Sequence, residues 1–218
     1  LLAPTGNSRS TRRCLSAIRT CKERGIKVSI GHSLATGEQI QMAKEAGVSL
    51  ATHLGNGVPL NLQRHPNIIW ELMSHEGITA SLIADGFHLP PSFLKVAFRA
   101  KGDECLLVSD ATCFAGMAPG EYESPIGGKV VLEESGRLSM KGANGLLAGA
   151  GKDLLENINY LLESKLLPLS EAWRKASILP LKYMLGEKAM KKDWVVFTIE
   201  ENQILVKKIY KDGHEVAV

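Results

Sequence analysis

No stretch of this 218-residue chain approaches the roughly 20 consecutive apolar residues that a membrane-spanning helix needs. No basic start followed by a short apolar core marks a secretory signal either. The four cysteines, Cys14, Cys21, Cys105 and Cys113, form no CxxC pair and no zinc-finger spacing. Cys14 falls on the helical stripe of Leu15, Ile18 and Cys21, so the set reads as reduced thiols, mostly in core positions. Excess charge of one sign is also missing: 26 Lys and Arg against 23 Asp and Glu leave a formal net charge of +3. The single basic concentration, Arg9, Arg12, Arg13, Arg19, Lys22, Arg24 and Lys27, has no interleaved aromatics and no nucleic-acid module signature, and reads as a solvated helix face. These absences argue against membrane, nucleic-acid and disulfide-stapled secreted classes. With 44% hydrophobic residues and 21 glycines, the expectation is an ordinary cytoplasmic α/β protein.

The most informative stretch runs from Val28 to Gly57. It holds His32 and His53, each just after a short apolar β-type run (Lys27 to Ile30, then Val48 to Ala51), with one amphipathic helix between. A strand–helix–strand unit lays its two strands side by side and parallel, so their carboxyl ends emerge at one sheet edge. Side chains there converge, and in parallel α/β folds that edge is where ligands bind. A lone histidine after a strand is more often a hydrogen-bonded structural residue. Two at equivalent places, followed by His88 and Asp110 also at strand ends, favour a shared metal ion.

The rest of the chain repeats the plan. It begins at Leu1 rather than methionine, with a strand end expected at Leu1 to Ala3 and a turn at Gly6-Asn7, and reads as the interior of a longer protein. A helix is predicted from Ser10 to Arg24, stopped by Gly25. Thr36 and Gln39 form a capping box for the next, which Gly47 ends. The loop LGNGVPLNLQRHP has small residues that let backbone N–H groups approach a ligand, and Arg64 offers a forked cation suited to phosphate. A helix over Ile69 to Ser74, a strand over Ile78 to Ile83, a helix over Ser92 to Ala100 and a strand over Cys105 to Val108 follow. Pro119 to Met140 alternates around Gly127-Gly128 and Ser135-Gly136 as a β-hairpin excursion. Helices are expected from Asp153 to Ser164 and from Ser170 toward Leu185, then strands from Trp194, Ile204 and Glu215. His65 and His75 read as surface residues, His214 as a turn residue, and Trp70, Trp173 and Trp194 as packing.

Parallel strands beginning at Leu1, Val28, Val48, Ile78 and Cys105 number five, whereas a closed (β/α)8 barrel needs eight and typically about 250 residues. An open sheet normally carries a phosphate-binding glycine fingerprint, so the favoured fold is a TIM-like barrel of which the last five units are present. Its span is 1–190, and 191–218 is a separate small sheet.

In order along the chain, GHSLAT (Gly31 to Thr36), THLGNG (Thr52 to Gly57), Arg64, IADGFH (Ile83 to His88), LVSDA (Leu107 to Ala111) and LLAGAG (Leu146 to Gly151) together resemble the N-acetylglucosamine-6-phosphate deacetylases of the amidohydrolase superfamily. That resemblance implies a metal-dependent hydrolase barrel with a small β-sandwich, of which the carboxyl-terminal strands here form part, in a homodimer. It implies His32 and His53 as metal ligands, for zinc first and ferrous iron or another divalent ion otherwise. Asp110 would be the catalytic acid/base. Asn56 and Gly57 would meet the sugar phosphate mainly through backbone, with Arg64 as its cation. Asp85, Gly86, Phe87 and His88 would contact substrate, and Leu147, Ala148 and Gly149 would line the sugar pocket by main chain. The products would be acetate and glucosamine 6-phosphate.

Departures accompany the match. The family's glutamate ligand belongs to an upstream segment this chain lacks, so the chain alone is expected to be an inactive fragment. The usual aromatic-asparagine-alanine is here Gly55-Asn56-Gly57, and Gly151 is followed directly by Lys152. The alternatives are another amidohydrolase, acting on a cyclic amide or other N-acyl substrate and indifferent to Arg64, and a non-catalytic fragment without metal.

Overall fold

The computed structural model describes residues 8–125, 127–186 and 193–216. The strand expected over Leu1 to Ala3 and the division at 190/191 lie outside them. Two compact units are present, one comprising Leu1–Ile83 and His88–Val108, the other Ala84–Phe87 and Ser109–Val218.

The first unit alternates strand and helix. After α1 (Ser8–Glu23) come β1 (Val28–Ile30), α2 (Gly37–Ala46), β2 (Val48–Ala51), α3 (Ile68–Ser74), β3 (Thr79–Leu82), α4 (Pro91–Lys101), a 3-10 turn at Gly102–Glu104 and β4 (Cys105–Leu107). All four strands are parallel, in the order β1-β2-β3-β4. Local chemistry sets the boundaries: Thr36 Oγ1 accepts the Gln39 N–H while the Gln39 side chain accepts the Thr36 N–H, and Gly47 closes α2 at φ +132. Pro90 and Pro91 open α4, where a missing N–H costs nothing. Strands β3 and β4 are buried along almost their whole length, as expected for a parallel sheet covered by helices. Ile30, Ile40, Ile78, Leu82, Ile83, Leu94 and Leu107 are the largest fully buried apolar side chains of this unit.

The second unit contains two antiparallel sheets and three helices. The excursion is a three-stranded meander, β5 (Gly120–Glu123), β6 (Lys129–Leu132) and β7 (Leu138–Met140), which turns at Gly127-Gly128 and at Ser135-Gly136. Phe114, Val130, Leu132 and Leu138 form the buried cluster beneath it. Asp153 caps α5 (Leu154–Glu163) through a second reciprocal box with Glu156. The single helix expected toward Leu185 is two, α6 (Leu169–Ala176) and α7 (Ile178–Leu185), separated at Ser177. Pro180 explains the break: it has no N–H for the Ala176 carbonyl, and its ring would clash there in a continuous helix. Last come β8 (Trp194–Glu200), β9 (Gln203–Lys211) and β10 (His214–Val216), with His214 pairing to Lys211 across the Asp212-Gly213 turn.

The cysteines are all free, but only Cys105 is buried; Cys14 and Cys21 are half-buried and Cys113 is exposed. The apolar stripe of α1 is narrow, burying Leu15 and Ile18 and leaving its thiols at the rim. Trp194 stacks on Tyr210 and Trp173 on Phe197; Trp70 and Trp194 are both exposed over about half their surface. His65 is exposed; His75 is half-buried, its ring nitrogen 2.6 Å from the Glu71 carbonyl oxygen. No described helix is long and apolar enough to cross a membrane.

Candidate functional site

His32 follows β1 by two residues and His53 follows β2 by two, so the parallel pairing Ile30↔Ala51 brings both to the same strand ends. Both have positive φ, +46 and +31, as does Asp110 at +55. Such backbone costs on the order of 1–3 kcal/mol for a non-glycine residue and clusters where function requires a side chain to be aimed. The other described non-glycine residues with positive φ lie in turns between elements.

The aim is visible in the rings. His32 Nε2 and His53 Nε2 stand 3.0 Å apart, the rings nearly perpendicular at 82°. His53 is buried and His32 exposed, and the Thr52 N–H donates to the Ile30 carbonyl at 2.8 Å, tying the two strand ends together. Gly57, at φ +65, packs its Cα against the face of the His32 ring: a Cβ there would lie 2.7 Å from Cε1 and Nδ1. His53 Nδ1 and Asn56 Nδ2 are buried without a hydrogen-bond partner among the described residues. At Gly55, the space a side chain would take is filled by Leu89 and Phe93.

Two imidazole nitrogens bound to one zinc at about 2.0–2.1 Å in tetrahedral geometry stand about 3.3 Å apart. The observed 3.0 Å is close to that, and neutral imidazole suits zinc and ferrous ions alike. The pair therefore fits two ligands of a divalent cation. Among the described residues no cluster of three or more His, Cys, Asp and Glu is gathered. Of the remaining residues expected in this unit, Asn56 follows His53 in the same turn, its N–H donating to the His53 carbonyl at 2.9 Å. Arg64 is exposed on the loop before α3, where its carbonyl accepts from Asn67 Nδ2, and His88 is half-buried.

The second unit holds the other expected residues. The Ala150 N–H donates to the Asp110 carbonyl at 3.0 Å, and the Thr112 N–H to the Ala150 carbonyl at 3.0 Å, so Gly149 and Ala150 lie beside Asp110, while Leu147 and Ala148 pair with Ser139 and Leu138 of β7. Gly149 packs on the Thr112 methyl, and the Asp110 side chain is exposed. Asp85 is buried, its Oδ1 accepting the Phe87 N–H at 2.9 Å.

The sequence reading missed the side chains that hold this segment. Asn157 Oδ1 accepts the Ala84 N–H at 2.6 Å, and Lys152 Nζ donates to the Asp85 carbonyl at 3.3 Å while lying 4.6 Å above the Phe87 ring. Tyr160 packs against Gly86, and burial, then the Asp85 carboxylate, pushes its phenol pKa up. The available signal was an asparagine at an inward position of α5, among Leu154, Ile158 and Leu161.

No family model matches the chain. It is 40% identical over 139 residues to the N-acetylglucosamine-6-phosphate deacetylase of Lysinibacillus sphaericus, covering 62% of this chain and 34% of that protein. It is 35% identical over 178 residues to the N-acetylgalactosamine-6-phosphate deacetylase of a Shewanella species, covering 78% of this chain and 44% of the relative. The crystal structure of N-acetylglucosamine-6-phosphate deacetylase from Pasteurella multocida superposes with a TM-score of 0.81 at 27% identity, over 94% of this chain and 54% of the other. The chain thus spans less than half the length of these two curated relatives. Similarity of this extent means that the chain belongs to the N-acetylglucosamine-6-phosphate deacetylase family.

Proposed function

We propose that this chain carries metal- and substrate-binding residues of a sugar-phosphate deacetylase that hydrolyses N-acetylglucosamine 6-phosphate to glucosamine 6-phosphate and acetate. The observation that carries the reading is the convergence of His32 and His53 Nε2 at 3.0 Å on adjacent strand ends. The fold proposed with it is a (β/α)8 TIM-like barrel, with β8 to β10 as part of a small β-sandwich. Strand order supports a barrel: β1-β2-β3-β4 adds each strand on the same side of the last, whereas a doubly wound sheet reverses direction at a switch point. A cytoplasmic setting and a homodimer belong to the same reading.

His32 and His53 are the residues to hold a divalent ion, zinc in the first instance, through Nε2. Such an ion supplies Lewis-acid polarisation of the acetamide carbonyl and a lowered water pKa. Asp110 then accepts a proton from the attacking water and returns it to the departing sugar nitrogen, so that amide plus water becomes acetate plus amine. Its exposed carboxylate is free to reach substrate. Asn56 and Gly57 offer backbone N–H groups to the phosphate and Arg64 its fork, while Asp85, Gly86, Phe87 and His88 contact the sugar, which Leu147 to Gly149 line by main chain.

Metal content by mass spectrometry, before and after His32→Ala and His53→Ala, tests the proposal. About one zinc per chain, lost in either variant, is expected; metal content indifferent to both substitutions overturns it. The Shewanella relative acts on the galactosamine epimer, which favours a second reading of the substrate. Calorimetry with both epimers separates the two.

A further inference from the structure

We propose that Ser81 is a positioning residue for His53, a role that rests on the reading of His53 as a metal ligand. Ser81 lies on β3, is 2% exposed, and follows Ala80, the residue in register with Ala51 of β2. Two residues past the end of β2, His53 takes φ +31. Its N–H then no longer meets a strand carbonyl, and the Ser81 hydroxyl supplies the acceptor instead, at 2.8 Å. The same hydroxyl donates to the Ala51 carbonyl at 3.0 Å, and the Ser81 carbonyl accepts the Leu54 N–H at 2.8 Å. One buried serine therefore fixes the backbone on both sides of His53.

The consequence falls on the ring. Without the hydroxyl, the His53 N–H and the Ala51 carbonyl each lose a buried partner, and the residue relaxes toward the extended region that a side-chain-bearing residue prefers. That relaxation turns the Cα–Cβ bond and carries Nε2 away from His32. The two imidazoles are held differently: His32 is exposed and rests on Gly57, whereas His53 is buried and set through its backbone. Ser81 thus makes His53 the fixed half of the pair.

Zinc affinity, read by competition with a chromophoric chelator on the full chain, tests this alongside thermal unfolding. Ser81→Ala is expected to weaken zinc binding about 10–100-fold, the range for loss of an outer partner of a ligating histidine. Leu82→Val, a change at the equally buried neighbour, lowers the melting temperature and leaves affinity within about twofold, which separates positioning from general destabilisation. Ser81→Cys, whose thiol is a weak donor and acceptor, falls between them and carries the comparison if the alanine variant does not fold. If Ser81→Ala and Ser81→Cys keep the parent's affinity while His53→Ala loses it, the positioning role is refuted and the ligand reading stands. If His53→Ala also keeps it, the ligand reading falls and this inference with it.

Discussion

Replacing Gly57 with alanine places a methyl group 2.7 Å from Cε1 and Nδ1 of His32 and 2.8 Å from Cγ, against the flat of the ring. Ordinary carbon contacts begin at about 3.5 Å, so the ring must retreat by about 0.8 Å. Metal–ligand distances tolerate about 0.2 Å, so a displacement several times larger takes Nε2 out of a shared coordination sphere with His53. A second cost is independent of the ring, because alanine at φ +65 is strained by about 1–2 kcal/mol. The expected result is a zinc affinity at least about tenfold lower, or about 1.4 kcal/mol, together with a lower melting temperature. Titration calorimetry with zinc on parent and Gly57→Ala, with thermal unfolding in parallel, makes the measurement. A melting temperature that falls while zinc affinity stays at the parent's value would refute the reasoning, since the backbone strain would then be real and the seat for the ring would not.

Other perturbations have equally definite outcomes. Asn157→Ala removes the acceptor of the Ala84 N–H and the donor to the Asp153 carbonyl from a fully buried position, and should cost about 2–3 kcal/mol in urea unfolding; a loss near zero would show that the 84–87 segment is held otherwise. Arg64→Ala should weaken binding of N-acetylglucosamine 6-phosphate about ten- to a hundredfold and leave the unphosphorylated sugar unaffected; equal losses for both ligands would remove the phosphate role. Lys101 is buried, with Nζ 2.6 Å from the His75 carbonyl, and burial lowers its pKa below 10.5 against the opposing pull of Glu104. The unfolded chain then binds more protons between the folded value and 10.5, so this residue makes stability rise with pH through that alkaline window. Lys101→Met should flatten the rise, and parallel melting curves for the two proteins from neutral pH upward would contradict the assignment.

Much of the first unit was legible because its signals are local. The Thr36–Gln39 box, Gly47, Pro90-Pro91 and Gly102 each act within a turn of chain, and the elements they bound begin and end within one or two residues of expectation. The break between α6 and α7 was legible in principle, since Pro180 announces it. The inward position of Asn157 on α5 was legible too, but its partner was not, because that is an N–H on a segment 73 residues away. The cysteines of α1 were misjudged because a stripe on a helical wheel does not reveal how much of it a neighbour covers.

The order of residues alone determined that His32 and His53 follow consecutive strands of a parallel pair, since right-handed crossovers leave little choice of edge. It also determined the family, through motifs spread from Gly31 to Gly151. Only the tertiary structure decided that the two ring nitrogens meet at 3.0 Å, because that distance depends on positive backbone angles held by partners distant in the chain. Ser81 reaches His53 across 28 residues, Gly57 reaches His32 across the turn after β2, and Lys152 reaches Asp85 across 67. Local propensity fixes where a strand ends; the direction in which its last side chain points is set by whatever packs against it.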